Sequence, residues 1–326
     1  MHSPRRTTWC CHSIGAGARI LKRKFMAIIK KNDVTPERPV IIVLYGTPGS
    51  GKTSVATTAD NPLLIDTDRG FDRAVQRVDT LEAHKWQDID AEREAMKGYK
   101  TIIVDTAKAC LDDYLSVYAV EQNYKLKTNS LKRFGQMADD FKSFVNFLRS
   151  NGSDIIFICH DKETQEGDVI KHSPDCTGQS KDLLLRIADQ VGYISKVNGQ
   201  RTITFEPMDN FVGKNVAGLG AQAIPDATDA KFTSFMAGII TDVKTAIQSK
   251  SEAQRKANEL LAELREATDA AAREEDAEAI CKAAGQLPRL LQKPFFNELK
   301  AKLSKKGFTY DNDSKKFLLQ QQGDAA

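Results

Sequence analysis

No two of the six cysteines stand in a C-x-x-C pair, and no apolar run approaches the roughly 20 residues that a membrane-spanning helix needs. The N-terminal 25 residues have apolar content too broken for a secretory signal. These absences exclude a transmembrane role and speak against a disulfide frame. Three of the cysteines lie in strongly apolar or helical text, which suits reduced thiols in a cytoplasmic protein. A basic body is missing too: residues 1–38 hold nine Lys/Arg against two acids, while the remainder holds 38 against 42. The net charge of +3 therefore comes from one end, and any nucleic-acid contact has to rest on a local patch.

What is present is 326 residues, 41% hydrophobic and 28% charged, enough for one large core with appendages. Residues 1–38 read as a basic arm without periodicity, expected to be disordered, and Met26 inside it offers an alternative translation start. From 39 to 249, apolar runs (VIIVLY, LLID, TIIVD, DIIFICH, VGYISKV, RTITFEP) alternate with amphipathic segments. That alternation predicts an α/β core, a mainly parallel sheet flanked by helices. Asn198-Gly199 between the last two runs predicts a hairpin. Residues 250–326 read as a helical accessory tail whose end, GFTYDNDSKKFLL, has the alternation of a short hairpin.

Residues 46–53, GTPGSGKT, follow the G-x-x-x-x-G-K-[ST] pattern between an apolar strand and a helix, the context that motif requires. Gly46, Thr47, Pro48, Gly49, Ser50, Gly51, Lys52, Thr53 and Ser54 are the expected nucleotide-binding set. Backbone amides cradle phosphates, Lys52 neutralises their oxygens, Thr53 offers a hydroxyl to Mg2+, and the helix N-terminus adds partial positive charge. ATP and Mg2+ are the expected cofactors. TIIVD places Asp105 at a strand end as the magnesium carboxylate. Thr106 follows it where many mechanical ATPases carry glutamate, so the group that activates water must come from elsewhere. LLIDTDRGFD supplies Asp68 for that role, with Asp66 as a structural or magnesium-shell neighbour.

Strand, P-loop and helix, then I-D-T-D, then T-I-I-V-D-T, a long helix and I-I-F-I-C-H form a layout that resembles the ATPase core of RecA-type recombinases. More closely, the segment from Pro39 to about Gly220 is similar to phage nucleotide-binding proteins that reduce this core to a single-strand annealing ATPase. The resemblance implies a RecA-like fold and an ATPase, slow or DNA-stimulated, that acts on single-stranded DNA in phage recombination. It implies a homo-oligomer in the host cytoplasm with nucleotide near subunit boundaries, and a single-strand-binding protein as partner. Carried over residue by residue, it makes Asp68 the counterpart of the recombinases' catalytic glutamate and His160 the polar residue that senses the γ-phosphate. It sets Lys214 where recombinases present lysines to a neighbour's nucleotide.

In the recombinase pattern the segment after His160 contacts DNA, yet residues 161–186 hold six acids against four bases, a poor phosphate surface. QNYKLKTNSLKRF is the better candidate: Lys125, Lys127, Lys132 and Arg133 surround Tyr124, an aromatic among cations as single strands require. A zinc site from Cys159, His160, His172 and Cys176 conflicts with strand alternation, which sends Cys159 and His160 to opposite faces. The competing reading is a nucleotide-gated P-loop binding or assembly module without direct DNA recognition, favoured by the lack of a basic core. A small-molecule kinase would need an arginine-bearing lid, and none stands out in the text.

Overall fold

Residue 33 and residues 36–320 are described by the computed structural model of the chain, so most of the N-terminal arm lies outside them. In chain order these residues form β1 (Ile41–Gly46), α1 (Lys52–Ala56), β2 (Pro62–Asp66), β3 (Asp79–Glu82), α2 (Trp86–Ala91), α3 (Arg93–Met96) and β4 (Thr101–Asp105). Next come α4 (Ser116–Gln122), α5 (Ser130–Ser150), β5 (Asp154–Glu166), β6 (Val169–Pro174), α6 (Gly178–Ile187), β7 (Gln190–Val197) and β8 (Gln200–Thr204). The chain continues through β9 (Lys214–Asn215), β10 (Gln222–Ala223), α7 (Phe235–Ala270), α8 (Glu274–Ala284), α9 (Arg289–Ser304), β11 (Phe308–Asp311) and β12 (Lys316–Leu319). The main sheet runs β10-β8-β7-β1-β5-β4-β2-β3; every pairing from β7 to β3 is parallel, and β8 and β10 add antiparallel edges. This is the α/β architecture that the alternation predicts.

Period-two alternation divides each central strand between two cores. Ile41, Val43 and Tyr45 face one side, where Phe141, Phe144 and Leu148 of α5 cover them. Ile42 and Leu44 face the other, under Val55 of α1 and Met236, Ile240 and Val243 of α7. The base of β1 is fixed by two carboxylates: Val40 N donates to Asp154 Oδ1 (2.9 Å) and Ile41 N to Asp189 Oδ2 (3.0 Å). Arg38 closes on Asp189 (2.9 Å), and Lys244, from α7, closes on Asp154 (2.8 Å). Burial raises the Asp154 pKa, opposed by Lys244 and the Val40 amide.

β5 outruns the sheet. Its first six residues are buried, and from Asp161 it pairs with β6 as a two-stranded ribbon from Asp161↔Pro174 to Glu166↔Val169. The polar segment after His160 is therefore mostly this ribbon and α6. β7 and β8 form the hairpin expected at Asn198-Gly199, both turn residues having positive φ (50° and 83°). α7 is one helix of 36 residues, so the domain boundary expected at 249 falls inside it. Its first half packs on the sheet, and Met236 N and Ala237 N donate to Thr58 Oγ1 (2.9 Å) and Thr58 O (3.3 Å), just beyond α1. Its far end, from Leu264, joins a third core with Ile280, Phe295, Leu299, Phe308 and Phe317 of α8, α9 and the β11–β12 hairpin. Among the described residues no helix is long and apolar enough to cross a membrane.

Asp154→Ala should strand the buried Val40 N–H and leave Lys244 without its partner. We expect it to cost about 1–3 kcal/mol in chemical denaturation, and Asp154→Asn, which keeps an acceptor for Val40, to cost less.

Candidate nucleotide-binding site

Three strands deliver the site. β5 lies between β1 and β4, so Gly46 is level with His160, and Asp105 is level with Ile158 two residues earlier. The P-loop leaves β1 through a passage in which only glycine fits: a Cβ on Gly46 would stand 2.5 Å from Ile194 O. Gly51 enters α1 at φ 88°, a region that side chains disfavour. α1 has five residues, so the loop amides and Lys52 carry the anion-binding character more than an extended helix dipole does. Lys52 is buried and folds back on the loop, its Nζ donating to Gly46 O (2.9 Å) and Thr47 O (3.0 Å). Burial lowers its pKa, and Asp105 opposes the shift.

Thr53 Oγ1 donates to Asp105 Oδ2 at 2.6 Å. Burial raises the Asp105 pKa, partly offset by the Thr53 hydrogen bond. A hydroxyl beside a half-buried carboxylate with no ion-pair partner among the described residues is a hard oxygen donor pair, and it fits Mg2+. The residue after Asp105, joined by a cis peptide bond, is braced structurally: Thr106 N donates to Thr67 Oγ1 (2.8 Å), and Thr67 Oγ1 to Thr106 O (3.1 Å). Thr106 is buried in that pair.

The two aspartates of β2 and its loop separate into different tasks. Asp66 accepts from the amides of Asp68 (3.0 Å), Gly70 (2.8 Å) and Phe71 (2.9 Å), so both of its oxygens hold the loop. This bracing is the structural alternative of the two roles expected for Asp66, which also lines the cavity. Asp68, half exposed, reaches into the cleft, where Oδ2 lies 3.6 Å from His160 Nε2. His160 Nδ1 is buried with no hydrogen-bond partner among the described residues, so nothing ties the ring from behind. A cavity of about 350 Å³ joins Lys52, Thr53, Asp66, Asp68, Asp105 and His160 with the P-loop.

Other expected residues lie elsewhere. Lys214 Nζ donates to Leu185 O (3.0 Å) and Arg186 O (3.4 Å) at the end of α6, so it does not reach this chain's P-loop cavity. Tyr124, Lys125 and Lys127 occupy a helical turn before α5, and Lys132 and Arg133 its first turn. Tyr124 is 72% exposed, with Lys127 Nζ 5.3 Å from its ring centroid. This patch is separate from the nucleotide cavity. Cys159 and Cys176 bury their sulfurs 4.0 Å apart in the core on the α5 side of the sheet. His172 Nδ1 instead meets Asp161 Oδ2 at 2.6 Å on the ribbon, and these two with Glu163 form a group of possible metal donors.

Two cationic side chains that line the cavity, Arg73 and Arg201, went unread in the sequence. Neither has a local signal: Arg73 follows an aspartate-rich turn, and Arg201 arrives through the β7–β8 hairpin, roughly 150 residues downstream of the loop it covers. Lys52→Ala should remove the one ammonium inside the loop and lower ATP turnover by about 10²-fold or more, measured as phosphate release.

A family profile described as an AAA domain matches residues 38–216, more than half of the chain, and spans every strand that builds this cavity. No curated protein matches the chain. The matched profile, the glycine-lined loop, the buried lysine and the Thr53–Asp105 pair lead to one conclusion: the chain belongs to this AAA-domain family of P-loop nucleotide-binding ATPases.

Proposed function

We propose that the protein hydrolyses ATP and uses the cycle to act on single-stranded DNA, in the manner of the RecA-like phage annealing proteins that its sequence resembles. The observation that carries this reading is the continuity of β5. One strand holds His160 beside Asp68 in the cavity and then runs without a break into the exposed ribbon. A ring whose Nδ1 lacks a partner can exchange the Asp68 carboxylate for a γ-phosphate oxygen, and the strand carries that displacement outward.

In this reading Lys52 and the loop amides hold the phosphates, and Asp68 orients the attacking water. Thr53 and Asp105 would hold Mg2+, which when bound would supply charge neutralisation on the phosphate oxygens. The base of the ribbon is tied to the segment that leads to α4: Lys108 Nζ meets Asp175 Oδ2 (2.8 Å), and Thr177 Oγ1 donates to Asp112 Oδ1 (2.8 Å). α4 leads directly to the Tyr124 patch, whose exposed ring and cations suit base stacking and backbone contact. Homo-oligomerisation, a single-strand-binding protein as partner and a host-cytoplasmic setting complete the proposal.

The second reading, a nucleotide-gated module that recruits a protein, draws on the ribbon tip. There Val169 and Ile170 are exposed among mixed charges, a poor surface for phosphate. Filter binding of labelled single-stranded DNA with and without ATP, at two salt concentrations, separates the two, because phosphate contacts weaken as salt rises. DNA retention that ignores ATP and salt rejects the first reading.

Asp68→Asn should slow ATP turnover by about 10²-fold while leaving ATP affinity in place, read by single-turnover hydrolysis beside equilibrium binding. His160→Ala should bind ATP as the parent chain does and lose the ATP-dependence of DNA binding. Equal DNA affinity with and without ATP in both proteins defeats the sensor assignment.

A further inference from the structure

The P-loop is flanked by a second cavity of about 470 Å³, whose walls include Thr47, Ser50, Lys196, Arg201 and Asp226. Arg201 lines both this cavity and the one that holds Lys52 and Asp105. Its guanidinium lies directly over the loop: a Cβ added to Gly51 would meet Arg201 Nη1 at 2.5 Å. The φ of 88° is what calls for glycine at Gly51, and the open space above it is where the guanidinium rests.

Among the described residues the Arg201 guanidinium makes no hydrogen bond and no ion pair, although Asp66, Asp68, Asp105 and Asp226 line the two cavities it joins. Its backbone, in contrast, is held from both sides. Arg201 pairs with Lys196 of β7, and its carbonyl accepts from Ile224 N (2.8 Å) and Gln200 Nε2 (3.1 Å). The side chain is thus a free planar cation on a rigid support. A second orphan lies beside it: Ser50 Oγ, in the loop and on the wall of the second cavity, is buried without a partner among the described residues.

Resting on the nucleotide-binding reading above, we propose that Arg201 clamps the α/β-phosphates of the bound nucleotide against the P-loop of its own chain. The amides around Gly51 belong to the part of such a loop that cradles the α/β-phosphates, while Lys52 extends toward the β/γ end. A nucleotide threading both cavities has its γ end near Asp68 and His160, its nucleoside beyond Arg201, and its α/β-phosphates beneath the guanidinium. Five donors in a fixed fork match phosphate oxygens there, and Ser50 Oγ gains the acceptor it lacks. Arg73 and Lys214 are placed less well. Arg73 lies over its own Gly70 turn, with Nη1 3.8 Å from the position of a Gly70 Cβ, and Lys214 is spent on carbonyls of α6.

Calorimetric titration of the full chain with Mg·ADP and Mg·ATPγS, compared across the parent chain, R201A and R201K, tests this. Arg201→Ala should weaken both nucleotides by the same factor, about 10- to 100-fold, because the α/β-phosphates are common to them. Arg201→Lys, which keeps charge but loses the fork, should fall between the two. Unchanged affinity in R201A overturns the proposal, and so does a loss confined to Mg·ATPγS, which would move the contact to the γ-phosphate. Should R201A lose its melting transition, R201K decides: an equal loss for both nucleotides supports the clamp, and parental affinity rejects it. A parent chain that binds neither nucleotide defeats the P-loop reading itself, a result distinct from failure of Arg201 alone.

Discussion

The height of the P-loop is set at the opposite end of the sheet. Asp154 and Asp189 each accept a backbone amide at the start of β1, and they belong to the strand beginnings that flank it, β5 and the entry to β7. A slip of one residue would turn Ile41, Val43 and Tyr45 toward the wrong core and lift Gly46 out of level with His160. The approaches across the cleft, Thr53 to Asp105 and Asp68 to His160, presuppose that register. Two carboxylates far from any phosphate therefore govern the geometry of the phosphate site, and each has a cation, Lys244 or Arg38, to hold its charge.

The cleft gathers opposing charges without pairing most of them. Lys52 spends its donors on two carbonyls, Asp66 spends its oxygens on three amides, and among the described residues Asp105 has only the hydroxyl of Thr53. Burial pushes Lys52 and Asp105 toward their neutral forms, so each gains from a ligand of opposite sign. A magnesium–phosphate complex is such a ligand on both counts, its cation answering Asp105 and its oxygens Lys52. The fold concentrates cost in residues whose relief coincides with binding.

The P-loop, Asp105 and the alternation of the strands were legible because each is written within a few consecutive residues. What the text could not distinguish is instructive. Asp66 and Asp68 are the same residue type two positions apart, and only the amides of Gly70 and Phe71 show that one braces the loop while the other faces the cleft. Arg201 and Lys214 are both strand cations after the last parallel strand; the fold, through the hairpin turn, sends one over Gly51 and the other to the end of α6. The boundary drawn at 249 followed the thinning of apolar residues, a sign that one core ends. Helix propensity does not end there, because the Ala-, Glu- and Lys-rich text beyond keeps the backbone helical until a second core takes over.

That unbroken helix has a mechanical consequence. At about 1.5 Å per residue, α7 is a spar about 54 Å long, with one end hydrogen-bonded to Thr58 behind the P-loop helix and the other built into the C-terminal core. No proline interrupts it, so it bends little. A tilt of about 5° at the nucleotide end would carry the far end through about 5 Å, by the length of the rod alone. The C-terminal module then works as the pointer of a gauge, and its excursion magnifies whatever small rearrangement the phosphate loop undergoes.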